Sequence, residues 1–330
     1  MATTVPSALD VDDYMSEPLL NIENLHVRFG SLKAVDGLSC ELDAEHVLGL
    51  IGPNGAGKTT TLRAAVGLQP VAAGRVTVLG RDVFEHASVT NRSICFTPDA
   101  PAMYDALSIE QFLLFIGKCY GLTRRLTEER IDHWLSVLWL TDKRRAKIET
   151  LSRGMKQRLS VARSLLPDPH VVLMDEPAAG LDPAGRVEFR KLIASLRDQG
   201  KAIIVSSHIL TDLAEYCTHI AIMGHGRLLQ SGPVDQVAGA QSRQSVKYRV
   251  VLAERVGDLA ARLAPLSKRD DVSELEFDAD WITLEYAADK GAAADLLKGL
   301  ISAGLPVAEF QPVRPDLEQA YLRAGIRQVD

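Results

Sequence analysis

An α/β fold followed by a smaller α+β unit is what this sequence predicts, and three observations carry the prediction. Strand-like and helix-like segments alternate between 171 and 223, which indicates a mostly parallel sheet. A glycine-rich loop, GPNGAGKT at 52–59, stands between the apolar strand HVLGLI and a helix. Beyond residue 246 the segments follow the order βαββαβ, which is the order of a small ferredoxin-like domain.

Length and composition set the limits of these predictions. The 330 residues suffice for two domains, and no apolar run approaches the roughly 20 residues of a membrane helix. Residues 1–18 lack the features of a signal peptide and predict a disordered tail. The net charge of −6 weighs against nucleic acid as a partner. The cysteines have no metal-ligand spacing, so free thiols in a reducing cytoplasm are expected; they are Cys40, Cys95, Cys119 and Cys217.

The first domain is expected to span 19–238. Its helical segments IEQFLLFIGKCYGL and EERIDHWLSVLWL indicate a helical subdomain of about 100–151, inserted into the α/β core. Strand-type segments are expected at 19–31 and 39–52, with LLNIENLHVRF and HVLGLI as their clearest runs. The remaining expected elements are a helix at 58–66, strands at 75–80, 93–98 and 171–177, a helix at 187–200, a strand at 201–207, a helix at 209–217 and a strand at 218–223.

The small polar stretch 239–245 is expected to be a linker to a C-terminal accessory or regulatory domain at 246–330. There, alternating apolar residues predict a hairpin at 273–287 that turns at Asp278–Asp280. A closing helix is expected at 316–325.

The glycine-rich loop matches the pattern G-x-x-x-x-G-K-[ST] that binds nucleotide phosphates. Its glycines let successive backbone N–H groups point at phosphate oxygens, and the helix that follows adds its positive N-terminus. Lys58 supplies a cation for the β- and γ-phosphates, Thr59 a hydroxyl ligand for Mg²⁺, and Thr60 a contact to the α-phosphate. The expected nucleotide-binding residues of the loop are Gly52, Pro53, Asn54, Gly55, Ala56, Gly57, Lys58, Thr59 and Thr60.

Two carboxylates, Asp175 and Glu176, end the apolar strand VVLMDEP. Because ligands bind at the carboxyl ends of strands in such sheets, Asp175 is expected to hold Mg²⁺ and Glu176 to orient or deprotonate the attacking water. The alternative is that the pair only caps the following segment. The chain has no N-K-x-D motif for guanine, so ATP is favoured over GTP.

With these motifs in place, the stretch LSRGMKQR at 151–158 completes a resemblance to the nucleotide-binding subunit of ABC transporters, in the form seen on exporters of drugs, lipids and polysaccharides. Ser152 and Gly154 match the family signature. The resemblance implies a P-loop NTPase with a RecA-like core, a β-subdomain and a helical insertion. It also implies that Phe29 stacks on adenine, that Asp182 lies in the D-loop and that His208 contacts the γ-phosphate. The ending LEQAYL at 317–322 resembles the C-terminal extension of exporter ATPases.

One position departs from the family pattern. Asp99 stands where the Q-loop commonly has Gln or Glu, and its side chain is shorter than either and anionic. We expect Asp99 to ligate Mg²⁺ or its water and to keep a metal-sensing role with altered coupling. The alternative is a loop cap after Pro98.

The family resemblance implies a head-to-tail pair of chains in which Ser152 and Gly154 of one close on the nucleotide of the other. It also implies a separate polytopic permease, with Ala100–Ser108 as the docking surface, and attachment to the inner face of the membrane. The alternatives are a non-transport ABC-type ATPase acting on a ribosome or nucleic-acid complex, and a binding module without hydrolysis. The single cassette, the negative charge and the intact Lys58, Asp175, Glu176 and His208 weigh against them.

Overall fold

The computed structural model describes residues 17–238, 245–267, 269, 271–287, 290–312, 317, 320 and 321. Three predicted segments lie wholly or largely outside these ranges: the N-terminal tail, the linker up to residue 244 and most of the closing helix. The chain divides into two compact units, of which the first reaches Ser231 and the second begins at Gly232. This division precedes the domain limit expected at 238.

Between residues 171 and 224 the elements of the nucleotide-binding part follow the predicted alternation of strands and helices. In chain order the strands are β1 (Leu20–Phe29), β2 (Leu32–Leu42), β3 (Val47–Ile51), β4 (Ala73–Val78), β5 (Arg81–Asp82), β6 (Ile94–Thr97), β7 (Val171–Asp175), β8 (Ala202–Ser206), β9 (His219–Gly224) and β10 (Arg227–Pro233). The helices are α1 (Lys58–Ala65), α2 (Ala87–Ser93), α3 (Ile109–Cys119), α4 (Arg124–Val137), α5 (Arg153–Leu165), α6 (Pro183–Asp198) and α7 (Leu210–Tyr216). The next helix, α8 (Val234–Val237), already belongs to the second unit.

A six-stranded sheet of order β10-β9-β3-β8-β7-β6 forms the core, and its pairs from β9 to β6 are parallel. Every residue of β3, β7 and β8 is buried, as expected for a parallel sheet that is covered on both faces. Because β3, β8 and β7 are neighbours, the segments that follow their carboxyl ends meet at one edge. The predicted parallel sheet is confirmed, and it brings the glycine-rich loop and the acidic pair to that edge.

A second sheet, of order β2-β1-β4-β5, is antiparallel. It shares one hydrophobic core with the large sheet, in which Leu20, Ile22 and Leu25 of β1 pack with Leu62 of α1. Strand β2 was not predicted as a separate element. Its sequence, LKAVDGLSCEL, is interrupted by Gly37 at φ +80°, and its apolar residues do not alternate regularly.

The helical subdomain has the expected position and content. Its first helix, α3, begins with a capping box in which Ser108 accepts from the Gln111 backbone and Gln111 caps Ser108 in return. The buried face of α3 packs on α4 and α5. Near the C-terminal end of the subdomain, the charge of Arg144 is balanced by an ion pair with Glu110 at 2.9 Å and by another with Asp132.

Two helices differ from the predictions for local reasons. Helix α6 begins at Pro183, earlier than the expected residue 187, because the Asp182 side chain accepts from Gly185 N at 2.9 Å and proline is favoured at the first helical position. Helix α2 was not predicted. Its sequence, ASVTNRS, has no apolar periodicity.

The second unit has the predicted βαββαβ order. Its elements are β11 (Ser245–Leu252), α9 (Leu259–Leu263), β12 (Val272–Asp278), β13 (Trp281–Ala287), α10 (Lys290–Ser302) and β14 (Val307–Pro312). Ser245, expected to end the linker, already belongs to β11. The sheet is antiparallel with the order β12-β13-β11-β14, which is the topology that a ferredoxin-like domain requires. Across the described ranges of both units, no helix is long and apolar enough to cross a membrane.

Candidate nucleotide-binding site

The glycine-rich loop has the backbone conformation that its sequence predicts. Gly55 and Gly57 have φ of +80° and +103°, which L-residues rarely adopt. A Cβ on Gly57 would lie 2.5 Å from the Ala34 carbonyl oxygen, whereas a Cβ on Gly55 would meet no atom within 4 Å. Gly57 is therefore fixed by packing as well as by its φ, and Gly55 lies on the open side of the loop, where a ligand can approach.

The same carbonyl oxygen of Ala34 also contacts a glycine outside the loop. A Cβ on Gly226, between β9 and β10, would lie 2.8 Å from it. Gly226 donates its N–H to the Ala56 carbonyl at 3.1 Å, and its own carbonyl accepts from Asp36 N at 2.8 Å. The β9–β10 turn thus braces the loop from behind.

Lys58 is buried at the first position of α1, and its ammonium group lies inside the loop. Its Nζ donates to the carbonyl oxygens of Gly52 at 2.6 Å and Pro53 at 3.2 Å. Burial lowers the pKa of Lys58, and the nearby carboxylates of Glu176 and Asp175 oppose that shift. The cation is held where phosphate oxygens can replace the two carbonyls.

Thr59 and Asp175 supply the oxygens that a magnesium ion requires. Thr59 Oγ1 donates to Asp175 Oδ2 at 2.7 Å, and Ser206 Oγ donates to Asp175 Oδ1 at 2.5 Å. Mg²⁺ in nucleotide sites takes one or two protein oxygens, phosphate oxygens and waters. This hydroxyl–carboxylate pair fits that pattern. Among the residues that the structure describes there is no cluster of three His, Cys, Asp or Glu side chains that could hold a metal without the nucleotide.

Glu176 and His208 lie beside this pair. Glu176 has φ of +47°, an uncommon conformation for glutamate, and its N–H lies 3.1 Å from both the backbone oxygen and the hydroxyl of Ser206. Its Oε2 lies 2.8 Å from His208 Nδ1, and the His208 ring is mostly exposed. The predicted catalytic pair is therefore assembled by the ends of two neighbouring strands.

The signature residues lie at the start of α5. Ser152 caps that helix by accepting from Met155 N at 3.3 Å, and a Cβ on Gly154 would lie 3.4 Å from the Gly180 carbonyl oxygen of the D-loop. Within the described part of the chain, no hydrogen bond joins either residue to the glycine-rich loop. Among the described residues, the hydrogen bonds of Ser152 and Asp182 stay within the helix starts that they cap, and Gly154 faces the D-loop.

The two remaining predicted site residues are Phe29, at the end of β1, and Asp99, two residues after β6. Phe29 is 49% exposed at the end of β1, so its side chain is accessible to a ligand. Asp99 faces the signature, with its Oδ1 3.9 Å from Arg153 Nη2, and forms no hydrogen bond to Thr59 or Asp175. No described contact of Asp99 supports the expected metal-sensing role, which stays a prediction.

The comparisons with known proteins agree with this geometry. Residues 35–179 match the family model described as ABC transporter. An uncharacterized ABC transporter ATP-binding protein of Synechocystis sp. is 34% identical over 294 residues, which cover 88% of this chain and 78% of that protein. The chain belongs to the ATP-binding subunits of ABC transporters. As a member of this family, it is an ATP-binding and ATP-hydrolysing subunit of the exporter branch.

Two further similarities support this assignment, one to a protein sequence and one to a solved structure. A Nod factor export ATP-binding protein of Rhizobium sp. is 30% identical over 320 residues, 96% of this chain and 100% of that protein. A solved ATP-binding subunit of an ABC transporter superposes on 66% of this chain and 91% of its own with a TM-score of 0.63 and 27% identity. The fold predicted for the ABC ATPase is thereby confirmed.

Sequence reasoning missed Ser206, which bonds the carboxylate of Asp175 and the backbone amide of Glu176. Ser206 lies in the segment VSSH, two residues before His208, but it belongs to none of the motifs that the sequence matches. The signal that could have found it is its place at the end of β8, beside the end of β7.

Proposed function

We propose that two copies of this chain, or this chain and a homologous subunit, close on Mg²⁺·ATP and power export through a separate membrane permease. The observation that carries the proposal is the pairing of two hydrogen bonds at one sheet edge: Thr59 to Asp175 at 2.7 Å, and His208 to Glu176 at 2.8 Å. The first fits a metal–phosphate site and the second fits a base with its partner. The Nod factor export relative favours export as the direction.

In this proposal each side chain has one task. Lys58 and the loop N–H groups bind the β- and γ-phosphates, and the exposed ring of Phe29 stacks on adenine. Thr59 and Asp175 hold the metal, which when bound neutralises phosphate charge and fixes the phosphate oxygens. Glu176 orients the attacking water and accepts its proton, while His208 holds Glu176 and faces the γ-phosphate. Ser152, Gly154 and Asp182 act on the nucleotide of the partner chain.

Metal removal tests the proposed site directly. ATP hydrolysis by the purified chain or its permease complex is expected to stop in excess EDTA and to return when Mg²⁺ is restored. ATP binding in EDTA should persist in weakened form, because Lys58 and the loop backbone do not depend on the metal. Hydrolysis that continues unchanged after chelation would contradict the assignment of Thr59 and Asp175.

The permease is proposed to dock on the helical subdomain. The exposed rings of Tyr104 and Phe115 pack edge to face at 5.7 Å. Ile116, the neighbour of Phe115 in α3, lines a groove between β6 and the end of α3. The lining also includes Leu68, Arg92, Cys119, Tyr120 and Arg163. A groove of this kind, with an apolar wall and two arginines, suits an amphipathic segment of a membrane protein. Attachment at the inner face of the membrane follows from such docking.

The native cysteines provide a footprint of that docking. Cys119 is exposed in the groove, whereas burial raises the pKa of Cys40 and of Cys95 to about 12 and also raises that of Cys217. A thiol reagent at neutral pH is therefore expected to modify Cys119 first. Complex formation with the permease should slow modification of Cys119 at least tenfold, as read by mass spectrometry, while the other three cysteines stay unmodified. Equal rates in the free chain and the complex would place the permease elsewhere.

A further inference from the structure

The hydroxyl group of Ser206 is buried at the point where strands β7 and β8 end. It is the last residue of β8, its relative exposure is 0%, and the parallel register places it opposite Asp175 of β7. A hydroxyl in such a position must find partners for its proton and its lone pairs. The partners here are the two predicted active carboxylate residues.

The hydrogen bonds of Ser206 have a fixed direction. Its single proton is donated to Asp175 Oδ1 at 2.5 Å, so its lone pairs are left to accept from Glu176 N at 3.1 Å. The backbone oxygen of Ser206 lies at the same distance from that N–H. One residue therefore contacts Asp175 through the side chain and Glu176 through the backbone amide.

These contacts determine where both carboxylates point. With Oδ1 held by Ser206, the carboxylate of Asp175 is turned so that Oδ2 faces Thr59 at 2.7 Å. Glu176 has φ of +47°, a conformation that costs free energy in a non-glycine residue and that persists only when neighbours hold it. The bonds from Glu176 N to Ser206 supply that restraint and aim the side chain at His208.

We propose that Ser206 is a positioning residue that holds Asp175 for the metal and Glu176 for the attacking water at the same time. The inference rests on the proposed function, because it assigns a role within that site. Groups that orient metal ligands typically contribute about 10–100-fold to metal affinity or activity. Removing the hydroxyl should therefore change two quantities together, the Mg²⁺ requirement and the turnover rate.

The test is a magnesium titration of ATPase activity in the full chain. S206A is expected to raise the Mg²⁺ concentration for half-maximal activity about tenfold and to lower kcat about tenfold or more, with ATP binding in EDTA unchanged. S206T, which keeps the hydroxyl, should recover most of both losses. The matched control is S207A: the neighbouring hydroxyl accepts from Ile209 N at 3.0 Å and touches neither carboxylate. S207A should leave the Mg²⁺ requirement within twofold of the wild-type value.

The outcomes separate this inference from the proposed function. Wild-type activity that needs no Mg²⁺ would overturn the proposed function itself. Wild-type Mg²⁺-dependent activity together with an S206A protein of unchanged Mg²⁺ requirement and kcat would overturn only the role of Ser206. Equal losses in S206A and S207A would also overturn it, because they would point to a general disturbance of the β8 end.

Discussion

An E176Q protein is expected to bind ATP and to hydrolyse it about 10²–10⁴-fold more slowly than the wild type. Glutamine has nearly the same shape and can still hydrogen-bond His208, but it cannot take a proton from the attacking water. The substitution does not touch Lys58 or Thr59, so nucleotide affinity should be retained. Phosphate release under single-turnover conditions measures the loss, and fluorescent-nucleotide titration measures binding.

The matched control for E176Q lies on α6. Glu188 forms a partly exposed ion pair with Lys191 at 2.7 Å and, among the described residues, no hydrogen bond to Asp175, Glu176 or His208. E188Q should hydrolyse ATP within twofold of the wild-type rate, because exposed ion pairs contribute little. An E176Q protein that hydrolyses as fast as E188Q would remove Glu176 from the mechanism. If the chains pair on ATP, E176Q should also accumulate as an ATP-bound dimer on size exclusion.

A mixture of two inactive variants, K58A and G154D, is expected to recover activity. In a head-to-tail pair, the loop of the G154D chain faces the intact signature of the K58A chain, so a mixed pair keeps one working site. Half of randomly formed pairs are mixed and each keeps one of two sites, so about a quarter of the wild-type rate per chain should return. G154D alone should bind ATP as a monomer, because Gly154 makes no hydrogen bond to the loop.

The mixing experiment distinguishes a signature that acts on the nucleotide of the partner chain from one that acts within its own chain. K58A mixed with T59A is the control: both changes lie in the same loop, so each mixed pair has two defective sites and no activity should return. Recovery with K58A and G154D but not with this control would support a shared site. If no activity returns in either mixture, or if G154D abolishes ATP binding by the monomer, the signature acts within its own chain.

Much of the fold and of the site was predictable because it depends on local patterns. The alternation of strand-like and helix-like segments between 171 and 223 predicted a parallel sheet, and in such a sheet the carboxyl ends of neighbouring strands meet at one edge. Lys58, Thr59, Asp175, Glu176 and His208 were therefore placed correctly at one sheet edge, although their roles remain proposals. The capped helices of the insertion were predictable for the same reason: their periodicity and their Ser or Thr caps are written in consecutive residues.

What sequence reasoning missed depends on contacts between distant segments. Ser206 carries no motif, and its importance comes from lying opposite Asp175 in the sheet. The pairing of Asp99 with Arg153 joins the Q-loop position to the signature segment, which are 54 residues apart in the sequence. Helix α2 and strand β2 have no regular apolar spacing, so their local sequence does not predict them. Packing on the core determines these two elements instead.

The Ala34 carbonyl oxygen has a consequence for how natural variants of this chain should be interpreted. Gly57 and Gly226 both pack against that one oxygen atom, at 2.5 Å and 2.8 Å for an added Cβ. Only Gly57 belongs to a motif that a reader of the gene would mark as essential. A missense change at Gly226 would nevertheless press on the same atom and displace the same loop. Evolutionary scoring of this sequence should therefore treat both codons as restrictive, although one of them lies in a turn without any recognised pattern.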